Sequence, residues 1–130
     1  MKPCPCGFGD TYTDCCGRYI GGVAAPTALA LMRSRYSAYV LGEIEYLLNT
    51  HDPTTRDVTK RDSMERWSKD TDWQGLTIVT TEKGTDSDST GIVEFIARGV
   101  TRGKPFVMSE RSRFRKIDGT WYYTDGDHLS

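Results

Sequence analysis

The sequence predicts an α+β fold in which a long N-terminal helix and a shorter helix pack on a curved, cone-like antiparallel sheet of four strands, preceded by a small four-cysteine knuckle. Three observations predict it. All four cysteines fall between Cys4 and Cys16. Apolar residues recur every three or four positions from Thr27 to Thr50. From Trp73 onward the residues turn β-branched and aromatic, in four runs separated by turn signals. With 130 residues the chain has room for one domain and a small appendage. It divides into residues 1–26, a metal-binding knuckle and linker, and residues 27–130, the α+β domain.

Residues 1–26 are rich in Gly, Pro and Cys and carry no helical or strand period. From Thr27, a predicted N-cap, Leu29, Met32, Tyr36, Tyr39, Val40, Ile44, Leu47 and Leu48 follow one helical period. Gly42 falls inside that helix and His51-Asp52-Pro53 stops it. Residues 54–71 are polar, with Val58, Met64 and Trp67 as sparse anchors, and predict a shorter surface helix. The four strands are Trp73 to Glu82, Gly91 to Thr101, Lys104 to Ile117 and Thr120 to Thr124. A polar turn at Gly84 to Ser89, then Arg102-Gly103 and Asp118-Gly119, joins them as a meander.

Composition excludes several classes of function. The chain is 37% hydrophobic and 27% charged, an ordinary globular balance. Seventeen Lys and Arg against 18 Asp and Glu give a net charge of -1, with no global drive toward nucleic acid or anionic membrane. No apolar run approaches the roughly 18 residues that span a bilayer, and MKPCPCGFGD lacks the apolar stretch of a secretory signal. A cytoplasmic protein with no membrane partner is expected. In a reducing compartment clustered cysteines favour metal over disulfides, and each adjacent pair here is too closely spaced for an unstrained bridge.

Cys4, Cys6, Cys15 and Cys16 form C-x-C-x8-C-C. Four thiolates close a tetrahedron and leave no position for water, so the expected ion is a structural zinc, with iron as the chemical competitor. C-P-C-G, Tyr12 and the Cys15-Cys16 pair resemble the SEC-C metal-binding motif. That motif holds zinc in the C-terminal tail of the bacterial translocation motor SecA, where it contacts the chaperone SecB and the ribosome. Phe8 stands where the motif usually has Ser, and Asp10 and Asp14 make this loop acidic. Further on, Leu31-Met32-Arg33-Ser34-Arg35-Tyr36-Ser37-Ala38-Tyr39, Glu110-Arg111-Ser112-Arg113-Phe114, Trp121-Tyr122-Tyr123 and Asp125-Gly126 resemble the YchJ family. The resemblance covers nearly the whole chain. It implies an N-terminal SEC-C motif joined to a cone domain similar to nuclear transport factor two, in a bacterial group that is largely uncharacterised.

Strand period places a candidate pocket. Phe106, Met108, Glu110, Ser112 and Phe114 share one face of the third strand. A carboxylate among apolar neighbours is costly, so either Arg33 or Arg35 from the first helix neutralises Glu110 or burial drives it toward its protonated form. Tyr36, Tyr39, Trp67, Phe114 and Trp121 are the other expected walls. His51 and His128 are expected in solvent. On the opposite face Arg111, Arg113 and Arg115 form a candidate basic surface for phosphate or an acidic protein, unless they pair with carboxylates across the sheet.

The leading expectation is a zinc-binding, non-enzymatic adaptor with a protein or ribonucleoprotein partner, linked through the resemblance to export chaperones or ribosomes. Two alternatives stand beside it: a small-molecule binder or enzyme centred on Glu110, and an RNA or ribosome binder through residues 111–115. Nucleic acid is the less favoured partner, and the oligomeric state is open.

Overall fold

Thr27 starts the main helix as its sequence context demands, its hydroxyl oxygen accepting the Ala30 N–H at 3.0 Å. The structure is a computed structural model and describes residues 3–8 and 10–129. The chain runs α1 (Cys16–Ile20), α2 (Ala28–Leu41), α3 (Ile44–Asn49), α4 (Arg61–Asp70), β1 (Thr71–Lys83), β2 (Thr90–Thr101), β3 (Lys104–Ile117) and β4 (Thr120–His128), with short 3-10 turns at Tyr12–Asp14 and Val58–Lys60. The strands form one antiparallel sheet in the order β1-β2-β3-β4. The helices cover its concave face.

The helical part departs from the expectation in two places. The single helix to Thr50 is two helices, because Gly42 adopts the left-handed conformation with φ 76° and its N–H caps Ala38 O. It is a C-cap rather than an interior residue. Consequently Gly42→Ala, which would stabilise an unbroken helix, should here destabilise by about 1 kcal/mol. A Cβ there meets nothing nearer than Ser68 Oγ at 3.8 Å, so the cost is conformational. The urea midpoint of the variant checks the sign: it should fall, and a rise would restore the unbroken helix. The second departure is α4, which begins at Arg61; residues 54–60 form a loop in which Asp57 accepts the Thr59 N–H at 3.0 Å.

Both short hairpins lie where the sequence puts them. Arg102-Gly103 has φ values of 50° and 80°, and Asp118-Gly119 has 52° and 82°, the paired positive values that suit a two-residue turn. Irregularities in register interrupt β1 against β2 near Gln74 and Val79, and β3 against β4 at Thr124. Such bulges bend a sheet, and this one curves around α2. Along β2 the buried residues Val93, Phe95 and Ala97 alternate with partly exposed ones, as a sheet with one covered face requires. The outer edge of β4 is closed by the segment after α3: Asp52 N–H donates to Tyr123 O at 2.7 Å and Tyr123 N–H to Thr50 O at 2.9 Å.

α2 is buried on nearly all sides. Met32, Tyr36 and Tyr39 meet the sheet side, while small residues let the knuckle and α3 approach closely. Ser37 Oγ lies 3.5 Å from Cys4 Sγ, and Ser34 Oγ lies 2.7 Å from the Tyr46 hydroxyl. One core therefore runs from the four cysteines through Leu31, Met32 and Tyr36 to Phe95, Phe114 and Trp121. Burial of this apolar surface is the main stabilising term.

Candidate functional site

Two features stand on opposite sides of α2: the cysteine cluster and a cavity. The knuckle brings its sulfurs together through a turn at Cys4–Gly7, a bridge between Pro3 and Thr11, and α1, which starts at Cys16. None of the four cysteines is in a disulfide, and each is at most 6% exposed. Their sulfurs lie within 4.8 Å of one another, with Cys6 to Cys15 at 3.6 Å and Cys15 to Cys16 at 3.9 Å. Sulfurs about 2.3 Å from a central ion in a tetrahedron are about 3.8 Å apart, so the donor set fits a metal of zinc's size. The protonation chemistry agrees. Hydrogen bonding from Cys16 holds the Cys6 thiol down to about 5, whereas burial, followed by the bond to Cys6, pushes Cys15 up to about 12. Its bond to Cys6, then burial, pushes Cys16 up as well. Without a cation the Cys6 thiolate is favoured over those of Cys15 and Cys16. A divalent ion would convert the others and release their protons. Such an ion would cross-link residues 4–16, a structural role, because four sulfurs complete its shell.

The cavity, about 610 Å³, opens between the inner face of the sheet, α2, and the loop leading to α4. Arg35, Tyr36, Tyr39, Trp67, Glu110 and Phe114 line it. Arg33 and Trp121 do not. Arg33, two residues from Arg35, leaves α2 toward the knuckle and sits 4.3 Å above the Phe8 ring. Trp121 lies in the buried core, donating its indole N–H to Pro26 O at 3.2 Å. Residues that the sequence did not mark as walls contribute as well, among them Trp73, Tyr123, His51, His128 and the charged Asp57 and Lys60. Trp67 and Trp73 meet edge to face at 4.9 Å, and Tyr39 packs on both at 5.2 and 5.8 Å.

Glu110 is not paired directly with either arginine. Its Oε2 accepts the Ser112 hydroxyl at 2.5 Å and the Tyr123 hydroxyl at 3.5 Å. Burial, then the Glu110 charge, pushes the Tyr123 phenol up, so it stays a donor. Arg35 instead donates from Nη1 to Leu47 O at 2.8 Å and Thr50 Oγ1 at 2.7 Å, satisfying the end of α3, with its Cζ 4.6 Å above the Tyr123 ring. His51 is half-buried, with its ring centroid 5.1 Å from that of Tyr123, and burial followed by Arg35 lowers its basicity. His128 is exposed but lies opposite Glu110, Nε2 to Oε1 at 3.9 Å. Counting back from the Asp118-Gly119 turn would put Asp127 there; the extra residue at Thr124 shifts the register by one. Gly126 makes room, since a Cβ there would come within 2.5 Å of Glu110 Oε2. A glycine inside a strand is the one signal in the sequence that marks this close approach.

The candidate basic face is neutralised. Arg111 pairs with Glu82 and, at 3.5 Å, Glu94; Arg113 pairs with Asp125 at 2.5 Å and Asp127 at 2.7 Å; Arg115 pairs with Asp52. The three arginines that share the face spend their charge on the protein itself.

Comparison with known proteins fits this architecture. The family model described as "YchJ, middle NTF2-like domain" matches residues 27–126. A UPF0225 protein of Chromobacterium violaceum is 48% identical over 95% of this chain and 90% of its own length. Another, from Streptomyces coelicolor, is 47% identical over 98% and 96%. The solution structure of a SEC-C motif containing protein from Rhodopseudomonas palustris superposes with a TM-score of 0.87 at 39% identity, covering 98% of each chain. Matched along nearly its whole length by such relatives, the chain belongs to the YchJ (UPF0225) family.

Proposed function

We propose that the protein is a metal-stapled binding protein: zinc at Cys4, Cys6, Cys15 and Cys16 fixes one side of α2, and a small organic molecule occupies the cavity on the other. The observation that carries this reading is the cavity itself. A volume of about 610 Å³, walled by aromatic rings and mainly apolar surface with charged groups such as Arg35 and Glu110 set into it, has the dimensions and chemistry of a ligand pocket. Zinc is favoured over iron because a closed four-sulfur site suits an ion with no redox task. A four-thiolate metal site suits the reducing bacterial cytoplasm.

A partner docking on the knuckle is a second reading. It is supported by Phe8, an aromatic ring 59% exposed with the Arg33 guanidinium stacked against it. The RNA reading loses its support with the pairing of Arg111, Arg113 and Arg115.

The test is a titration of the 15N-labelled, zinc-loaded protein with a set of small aromatic fragments. Shifts confined to the indoles of Trp67 and Trp73 and the amides around Glu110 are expected. Scattered shifts, or none from any fragment, would remove the cavity from consideration.

A further inference from the structure

Among the charged side chains on the cavity wall, which also include Asp57 and Lys60 on the loop leading to α4, Arg35 and Glu110 are of opposite sign and each keeps unused hydrogen-bonding capacity. Both Glu110 contacts fall on Oε2, whereas Oε1 has only His128 Nε2 at 3.9 Å, beyond bonding distance. Arg35 is 8% exposed and lines the cavity, yet both of its hydrogen bonds leave from Nη1. Nε and Nη2 donate to nothing among the described residues. Tyr123 keeps the two charges apart, its ring under the guanidinium at 4.6 Å and its hydroxyl 3.5 Å from the carboxylate. They face one space without forming an ion pair. A guanidinium carries five N–H donors and a carboxylate about four acceptor sites, so each has capacity for a ligand.

Resting on the reading that the cavity binds a small molecule, we propose that its ligand is a zwitterion of the α-amino acid type with an aromatic or large apolar body. The ammonium bonds Glu110 Oε1, the carboxylate bonds the free edge of Arg35, and the body lies against Trp67 and Trp73. Two-point recognition follows from the charges. A simple amine satisfies Glu110 but leaves Arg35 unanswered and is repelled by it. A simple acid satisfies Arg35 and is repelled by Glu110. Only a ligand bearing both charges desolvates neither wall group against a like charge.

The experiment titrates the unmodified, zinc-loaded protein with L-phenylalanine, phenethylamine, hydrocinnamate and benzyl alcohol, following tryptophan fluorescence. These share a phenyl body and differ in the head. Phenylalanine should bind at least about ten-fold tighter than either singly charged analogue, the worth of one charge-assisted hydrogen bond. Glu110→Gln should weaken phenylalanine by about ten-fold without weakening hydrocinnamate. If all four bind alike, the cavity takes ligands but the zwitterion assignment is overturned. A singly charged analogue as tight as phenylalanine also overturns it. If none binds, the cavity reading fails together with the inference.

Discussion

Asp52→Ala is expected to melt about 10 °C below the parent chain, because a buried and fully bonded carboxylate is removed from the loop that closes the sheet. Asp52 is 0% exposed. Its oxygens accept from Arg115 Nε and Nη2, from Thr54 N at 2.9 Å, from Thr54 Oγ1 at 2.8 Å and from Thr124 Oγ1 at 3.2 Å. Removal orphans all of those donors at once. Arg115 is partly open to water, which screens the ion pair, so much of the loss lies in the hydrogen bonds. Asp52→Asn, which keeps the shape, should fall less. The pH dependence has a definite sign. The bond from Arg115 holds the Asp52 carboxyl well below the usual carboxylate range. Its contribution is therefore complete above the ordinary aspartate value of about 3.9 and is lost as the pH falls below it through the folded-state value. Differential scanning calorimetry from neutral pH downward should show the parent converging on the Asn variant in acid. Parallel curves for the two would show that the ion pair does not stabilise the fold.

Asp52 also shows why the fold is more legible in the chain than the site. As part of His51-Asp52-Pro53 it marks a helix end, which is local chemistry and visible in the sequence. That its carboxylate meets Arg115 across β4 depends on how the loop wraps the sheet edge, which no spacing records. The same contrast recurs elsewhere. Asp118-Gly119 and Arg102-Gly103 fix two hairpins by backbone conformation alone, and period two puts Glu110 and Phe114 on the inner face. The extra residue at Thr124 is invisible to that period, and it moves His128 rather than Asp127 opposite Glu110. Gly42 is ambiguous in sequence because a glycine costs a helix interior and caps a helix end, and only the turn of the chain toward α3 decides. Two residues apart on one helix, Arg33 and Arg35 fall on opposite faces, and the helical period sets Arg35 beside the Met32, Tyr36 and Tyr39 side. The structure sends one to Phe8 and the other to the end of α3. Ser34, Ser37 and Ala38 carry the remaining signal: small residues on a helix otherwise rich in large ones mark where the knuckle and α3 press against it.

That contact underlies the second large effect. The cysteines are not an appendage with its own core, since they share one with Met32, Tyr36 and Phe95, which also line the cavity. Structural zinc is worth about 10–16 kcal/mol in isolated finger peptides. A Cys15→Ser, Cys16→Ser double variant should therefore lose its metal, disorder residues 1–20 and loosen the α2 wall of the cavity. The most direct test of a metal-stapled cavity is elemental analysis of both proteins together with their 1H–15N spectra. One zinc per chain is expected in the parent and none in the variant. The variant should also show collapsed dispersion for the knuckle amides and a shifted Trp73 indole, which packs on Tyr36 at 5.8 Å. Unchanged metal content would contradict the four-sulfur site. A metal-free variant whose cavity resonances stay in place would contradict the coupling of staple to cavity.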